Sequence, residues 1–378
     1  MRQHGTVWVG VRSRLAVAAL ATLPTASWAE VFDRYERLGQ FSLPAGTDVY
    51  DVLADGRLIA LVDDQIYVET AVGARTFQTP VTLPEADLPF FGAAFLRVSP
   101  GGTRFAVGNN GGSSFSDFRV GVFDVGTLAG AWLPAGHFDA EWFDEQRLAI
   151  TAGDFGSPSV VTLLDVDSLN PLSPSNPTVI GNIGGASGGI TFDAAGNLFT
   201  GNGFTSTGPS GTGTTRAFPR TAWEAAAAGG PVINFETDGV SVVDVLSASP
   251  LGFDAEGNLF VGGGDVAPDS DFIALVRSSA VLTALAGGGA VDANDPTRVR
   301  RLDPIPENDA NFFSATSNAI TGELYVRDPF VDDTVHVYRD RLDIPAVSPW
   351  GMTILIGLLL CAATIRLRRS PRRVTEDA

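Results

Sequence analysis

Three kinds of residue in this sequence could carry chemistry. Gly185-Ala186-Ser187-Gly188-Gly189 fits the Gly-x-Ser-x-Gly pattern of a nucleophile elbow, but an elbow stands between a strand and a helix. Here the segment runs into Ile190-Thr191-Phe192, an apolar β-forming stretch, and reads as a loop. His137 and His336 stand alone, without the i, i+4 or His-x-His spacing that a zinc site favours. The carboxylates are the richest source, because a repeated architecture brings equivalent positions into a ring. Asp63-Asp64, Asn109-Asn110, Asp154, Asn202, Asp265 and Arg327-Asp328 follow apolar stretches at comparable points. If those points share one face, Asp63, Asp154, Asp265 and Asp328 become candidate ligands for a hard cation, with calcium the ion that takes such oxygens. Asp, Asn and Gly also serve tight turns with no metal present, and that use is the commoner one. The clusters 265–271 and 292–295 are acidic, yet neither has the spacing of a calcium-binding loop with its distal glutamate.

The elements that would position these residues repeat. Ser187-Gly-Gly-Ile-Thr-Phe-Asp-Ala-Ala-Gly-Asn-Leu-Phe-Thr-Gly-Asn-Gly203 and Ser249-Pro-Leu-Gly-Phe-Asp-Ala-Glu-Gly-Asn-Leu-Phe-Val-Gly-Gly-Gly264 are near copies. Weaker copies run over 49–63, 95–109, 140–152 and 313–326. Each is a short β-forming stretch, a tight turn and a second apolar stretch. A third strand is visible at 118–125, 160–166, 272–276 and 334–338. Units of this size cannot bury a face alone, so stacked blades around an axis are expected: an all-β chain, a single β-propeller of six or seven blades. The last unit stops after its third strand at Tyr338, while 35–43 is an orphan strand before the first unit. Their pairing would close the ring and remove open edges. Two insertions carry helical patterns, Arg220 to Ala228 ahead of Gly229-Gly230, and a patch within 279–301.

These hairpins resemble those of six- and seven-bladed propellers, among them bacterial surface propellers and the NHL and gluconolactonase-like groups. The last resemblance implies an alternative activity, a hydrolase whose divalent ion is held at the axis. Asp48, Asp51, Glu141 and Asn311, near the first strands, are the residues that such a site would draw on, although no residue-by-residue match to that group can be made.

Both ends look like targeting segments. Residues 1–29 hold Arg2, Arg12 and Arg14, an apolar run from Leu15 to Leu23, and small residues at Ala26 and Ala29, the pattern of a secretory signal peptide. After the propeller region, 30–342, a linker at 343–351 leads into an apolar segment, 352–367. A basic tail at 368–378 follows, and the apolar run is closed by Arg366, Arg368, Arg369, Arg372 and Arg373. An apolar run closed by arginines predicts a transmembrane helix with a cytoplasmic end. Ile344, Pro345, Trp350 and Gly351 resemble the IPTL-type carboxy-terminal sorting signal of bacteria, with Ala346 and Val347 in place of its Thr and Leu. That resemblance implies processing by an exosortase-type membrane enzyme and a destination at the cell envelope or surface.

Composition narrows the rest. The 378 residues carry a formal charge of −18, and all 25 basic residues are arginine, so Schiff-base and Walker-type lysines are excluded. Setting aside the three arginines before Glu30, and the five arginines and two acids after Ile344, leaves 17 arginines against 41 acids, a charge of −24. Nucleic acid is a poor partner for such a surface. The single cysteine, Cys361, lies in the apolar tail, so the exported body has neither disulfide nor thiol chemistry. The preferred function is a non-catalytic exported propeller, binding a surface protein or polysaccharide and anchored or sorted by its tail.

Overall fold

The computed structural model describes residues 35–84, 92–111, 117–152, 159–166, 177–183, 188–201, 215–245, 248–262, 272–303, 314–329 and 331–340. The segments read as signal peptide, sorting motif and transmembrane helix lie outside them, as do Asp154, Asn202, Asp265 and Asn311.

Strand β1 (Tyr35–Ser42) comes first and belongs to the last blade. Blade 1 is β2 (Val49–Val52), β3 (Leu58–Val62), β4 (Gln65–Val68) and β5 (Val81–Thr82). Blade 2 is β6 (Ala93–Val98), β7 (Arg104–Asn109), β8 (Arg119–Asp124) and β9 (Gly130–Pro134). Blade 3 holds β10 (Asp139–Trp142), β11 (Arg147–Ala152), β12 (Ser159–Asp165) and β13 (Thr178–Ile183). Blade 4 is β14 (Ile190–Phe192), β15 (Leu198–Gly201), β16 (Thr215–Phe218) and β17 (Val240–Asp244), with β21 (Val291–Asp292) added in parallel at its edge. Blade 5 is β18 (Leu251–Phe253), β19 (Leu259–Gly262), β20 (Ile273–Val276) and β22 (Val299–Leu302). Blade 6 is β23 (Ser314–Asn318), β24 (Glu323–Arg327), β25 (Thr334–Asp340) and, on the outside, β1. The chain is a six-bladed β-propeller.

Closure occurs where the orphan strand predicted it. Tyr35 pairs with Asp340 and Ser42 with Thr334 in an antiparallel ladder. Side chains lock the seam. Asp333 accepts the backbone N–H groups of Gly46 (2.8 Å) and Thr47 (3.0 Å), and the buried Arg327 donates to Asp333 (2.9 Å) and to Thr47 O (2.6 Å). The chain entering blade 1 is thereby fixed to blade 6, and the edge of β25 is covered by β1.

Each blade packs both faces on its neighbours, so its middle strands are largely buried on both faces instead of alternating. Leu58, Ile59, Ala60 and Leu61 of β3 are all buried. The core is correspondingly divided into layers between adjacent blades, such as the Phe95–Trp142–Ile150 layer between blades 2 and 3. The two near-copy hairpins share one turn chemistry. Asp193 Oδ1 accepts from Ala195 N and Asn197 N, and Asp254 Oδ1 accepts from Glu256 N and Asn258 N. Gly257 completes its turn at φ +77°, a conformation that favours glycine.

Both insertions leave the third strand of their blade and return to the fourth. In an antiparallel blade that connection lies at the same end as the turn between the first two strands. Helix α1 (Arg220–Ala227) is anchored there by Trp223, which is fully buried and donates to Gly196 O at 2.9 Å. Helix α2 (Phe235–Asp238) follows in blade 4, and helix α3 (Ser278–Thr283) occupies the corresponding place in blade 5. The expected helices therefore sit on the tight-turn face.

Candidate axial binding site

The inner strands β2, β6, β10, β14, β18 and β23 contact one another in a closed circle. Each ends at a turn opened by Leu53, Ser99, Phe143, Asp193, Asp254 and Asn318 respectively, whose backbone groups close the hairpin. Two residues before each opener stands an equivalent position: Asp51, Arg97, Glu141, Thr191, Gly252 and Thr316. All six line one cavity of about 360 Å³ at the tight-turn end of the axis. Trp142, Phe192 and Phe253 add aromatic surface to its wall. At residue 252 a Cβ would overlap the Phe260 ring, so glycine is required there and Phe260 fills the place of a side chain.

Charge is confined to blades 1 to 3. Arg97 Nη2 donates to Asp139 Oδ1 at 2.6 Å, its Nε to Ala140 O at 3.0 Å and its Nη1 to Leu96 O at 3.2 Å. Asp51 accepts from Thr316 Oγ1 (2.6 Å) and from Val98 N (2.8 Å). Asp139 also accepts from Ala140 N at 2.9 Å. Burial pushes the carboxyls of Asp51 and Asp139 above the usual range, and Arg97 partly offsets this in both. Glu141 is less well served. Among the described residues its carboxyl accepts one hydrogen bond, from Trp142 N at 2.9 Å. Burial raises its pKa to about 8, Arg97 pulls it down, and Asp51 and Asp139 push it up again. At neutral pH the group is largely protonated, a neutral acid able both to donate and to accept.

The sequence candidates divide. Asp51 and Glu141 both reach this cavity, while Asp48 lies at the opposite end of β2 and accepts from Asp63 N at 3.2 Å. Asp63 and Asp328 follow β3 and β24, on the face away from the tight turns, and Asp328 is buried. Among the described residues no group of three or more His, Cys, Asp and Glu is placed to hold a metal ion. His137 is buried with Nδ1 at 2.9 Å from Ala135 O, and burial lowers its pKa to about 4. His336 stands on the closing strand, 2.7 Å from Arg37 Nη2, and burial followed by the Arg37 charge lowers its pKa to about 4. Neither histidine lines the cavity. Sequence reasoning missed Arg97, Asp139, Thr191 and Thr316. A signal was available, since aligning the repeats on their turns places three of these four in the ring position.

No protein-family model matches the chain, and no curated protein matches it. Among solved structures it is similar to a chain of the mitotic checkpoint complex, at 13% identity over 80% of this chain and 94% of that one, with a TM-score of 0.47. It is also similar to the β-propeller domain of Cps50 (Swd1) from Myceliophteria thermophila, at 9% identity over 80% and 99%, with a TM-score of 0.44. A third is the PQQ domain of pyranose dehydrogenase from Coprinopsis cinerea in its holo form, at 13% identity over 81% and 97%, with a TM-score of 0.49.

Proposed function

We propose that this chain is an exported propeller held at the cell envelope, which binds a surface polysaccharide without transforming it. The observation that carries the reading is the axial cavity on the tight-turn face. Its arginine is paired and its Asp51 carboxylate is held by the protein itself, as befits a recognition surface. The helical insertions on the same face extend the area available to a polymer. The two targeting patterns support the address: a signal peptide at 1–29, and an apolar, arginine-closed tail with Ile344, Pro345, Trp350 and Gly351 in a sorting arrangement. In this reading the exosortase-type enzyme and the membrane are partners of the tail, and the polysaccharide is the partner of the propeller.

The test is cell fractionation of an epitope-tagged chain, combined with protease treatment of intact cells. The propeller should be recovered in the envelope and be cut from outside. A chain that stays in the cytoplasm would sink the proposal. A second reading, the axial metal-dependent hydrolase, is favoured by one observation, that Asp51 and Glu141 share the cavity. Metal analysis of the purified chain and a lactone and phosphoester panel separate the two readings.

A further inference from the structure

The side chains that line the axial cavity differ in how far the protein itself engages them. Arg97 commits three of its five N–H donors, and its ion pair, to Asp139, Ala140 O and Leu96 O, and Asp51 is held by Thr316 and Val98. Ser317 donates to Phe253 O at 2.8 Å, and Asn318 donates to Gly56 O at 2.8 Å while accepting from Ile320 N at 3.0 Å. The ring side chains that the protein engages least are the Glu141 carboxyl and the Thr191 hydroxyl, neighbours in the ring. Among the described residues Thr191 Oγ1 makes no hydrogen bond. A hydroxyl and a protonated carboxyl both donate and accept, which is the complement of another hydroxyl.

Charge and shape narrow the ligand further. An anion would find the one cation already engaged and carboxylates beside it. A fixed cation would find Glu141 largely neutral, because burial, with Asp51 and Asp139 adding to it, holds its proton on. The wall adds Trp142, Phe192 and Phe253, apolar surfaces suited to the C–H face of a ring. A volume of about 360 Å³ lies at the small end of small-molecule sites, which start at roughly 300 Å³.

We propose that the axial cavity binds a neutral polyhydroxylated ligand, a single sugar residue or chain end, whose hydroxyls are read by Glu141 and Thr191. This rests on the polysaccharide reading above and gives it a subsite. Ala54, Pro100 and Ile320 of the tight turns also line the cavity.

The experiment is ligand-observed NMR and calorimetry on the purified full-length chain. The probes are glucose, galactose, mannose, N-acetylglucosamine and myo-inositol, with ethanolamine as the cation and acetate as the anion. At least one neutral probe should bind with a millimolar or lower Kd. Thr191→Val should weaken it about tenfold or more, the scale of one lost hydrogen bond of roughly 1.4 kcal/mol. Thr191→Ser should restore it, and Asp63→Asn on the far face should leave it unchanged. Glu141→Ala should abolish it while thermal melting stays cooperative. Binding should weaken above pH 8 as Glu141, faced by Arg97, Asp51 and Asp139, gives up its donor proton. No neutral probe binding, ethanolamine binding more tightly than any sugar, or indifference to both variants would overturn the proposal. An envelope-located chain that fails this test loses the subsite alone, whereas a cytoplasmic chain that binds sugar loses the address alone.

Discussion

Blades 1 to 3 place Asp51, Arg97 and Glu141 at the axial ring, and blades 4 to 6 place Thr191, Gly252 and Thr316 at the same level. The two near-copy hairpins fall in the uncharged half. Their shared residues, the turn aspartate, glycine and asparagine and the Leu-Phe pair behind them, build the scaffold, and their ring positions carry a hydroxyl and nothing at all. The charged half comes from the units whose repeat is hardest to see. Similarity between blades thus marks what every blade must do to fold, and departure from it marks where the ring acquires chemistry. The halves also stand differently to each other: Thr316 closes the circle by donating to Asp51, while Thr191 beside Glu141 donates to no protein group among the described residues.

Arg97→Met is the harshest way to break that contrast. It leaves Asp139 and Asp51 without their one cation, and removing a partner from a buried ion pair costs about 3–5 kcal/mol, read by urea unfolding at pH 7. Adding Asp139→Asn should recover a large part of the loss, because the two changes are coupled. A loss under about 1 kcal/mol for the single variant would show that the charged half is solvated like a surface pair.

Glu141→Gln tests the same half through pH. The folded state raises the Glu141 pKa from 4.5 to about 8, so the native protein holds this proton where the unfolded chain has released it. The stabilisation is complete below pH 4.5 and is lost as pH rises towards 8, with a slope of at most about 1.4 kcal/mol per pH unit. The variant cannot ionise there. The difference in unfolding free energy between the two proteins should therefore shift steadily in the variant's favour from pH 5 to 8. The histidines act in the opposite sense in both proteins and cancel from the comparison, since the lowered pKa of His336 and His137 costs stability only as pH falls from 6.5 towards 4. A flat difference would place Glu141 in water.

The sequence made the scaffold legible and two residues of the site, Asp51 and Glu141. A hairpin is local, so Asp-Ala-x-Gly-Asn-Leu-Phe announces its turn and its buried strand within a few residues, and the orphan strand at residue 35 could be matched to the blade lacking one. Asp51 and Glu141 came, with Asp48 and Asn311, from the resemblance to the gluconolactonase-like group, which implies an axial site drawn from the first strands. Arg97 escaped because it sits in Phe95-Leu96-Arg97-Val98, an ordinary apolar strand, and its meaning depends on Asp139 from the next blade. Asp63 and Asp328 were singled out as equivalent positions after the second strands, and both stand on the face away from the tight turns. Which face matters depends on how six first strands converge, and no single repeat contains that information.

The uncharged half gives the finer tests. Thr316→Val keeps the shape and deletes the donor to Asp51, leaving a buried carboxylate with Val98 N as its remaining close donor at 2.8 Å. Stripping one partner from a buried acceptor costs about 1–3 kcal/mol. Thr191→Val makes the same chemical change one ring position from Glu141, but no protein acceptor is left unsatisfied. Its effect on unfolding should stay within about 0.5 kcal/mol, the range of a substitution that breaks no native contact. The two threonines would then be alike in sequence, burial and ring level, and differ in stability effect because one hydroxyl serves the protein and the other faces the cavity. Equal losses at both sites would mean that Thr191 is also a structural donor. In that case the uncharged half would be scaffold throughout.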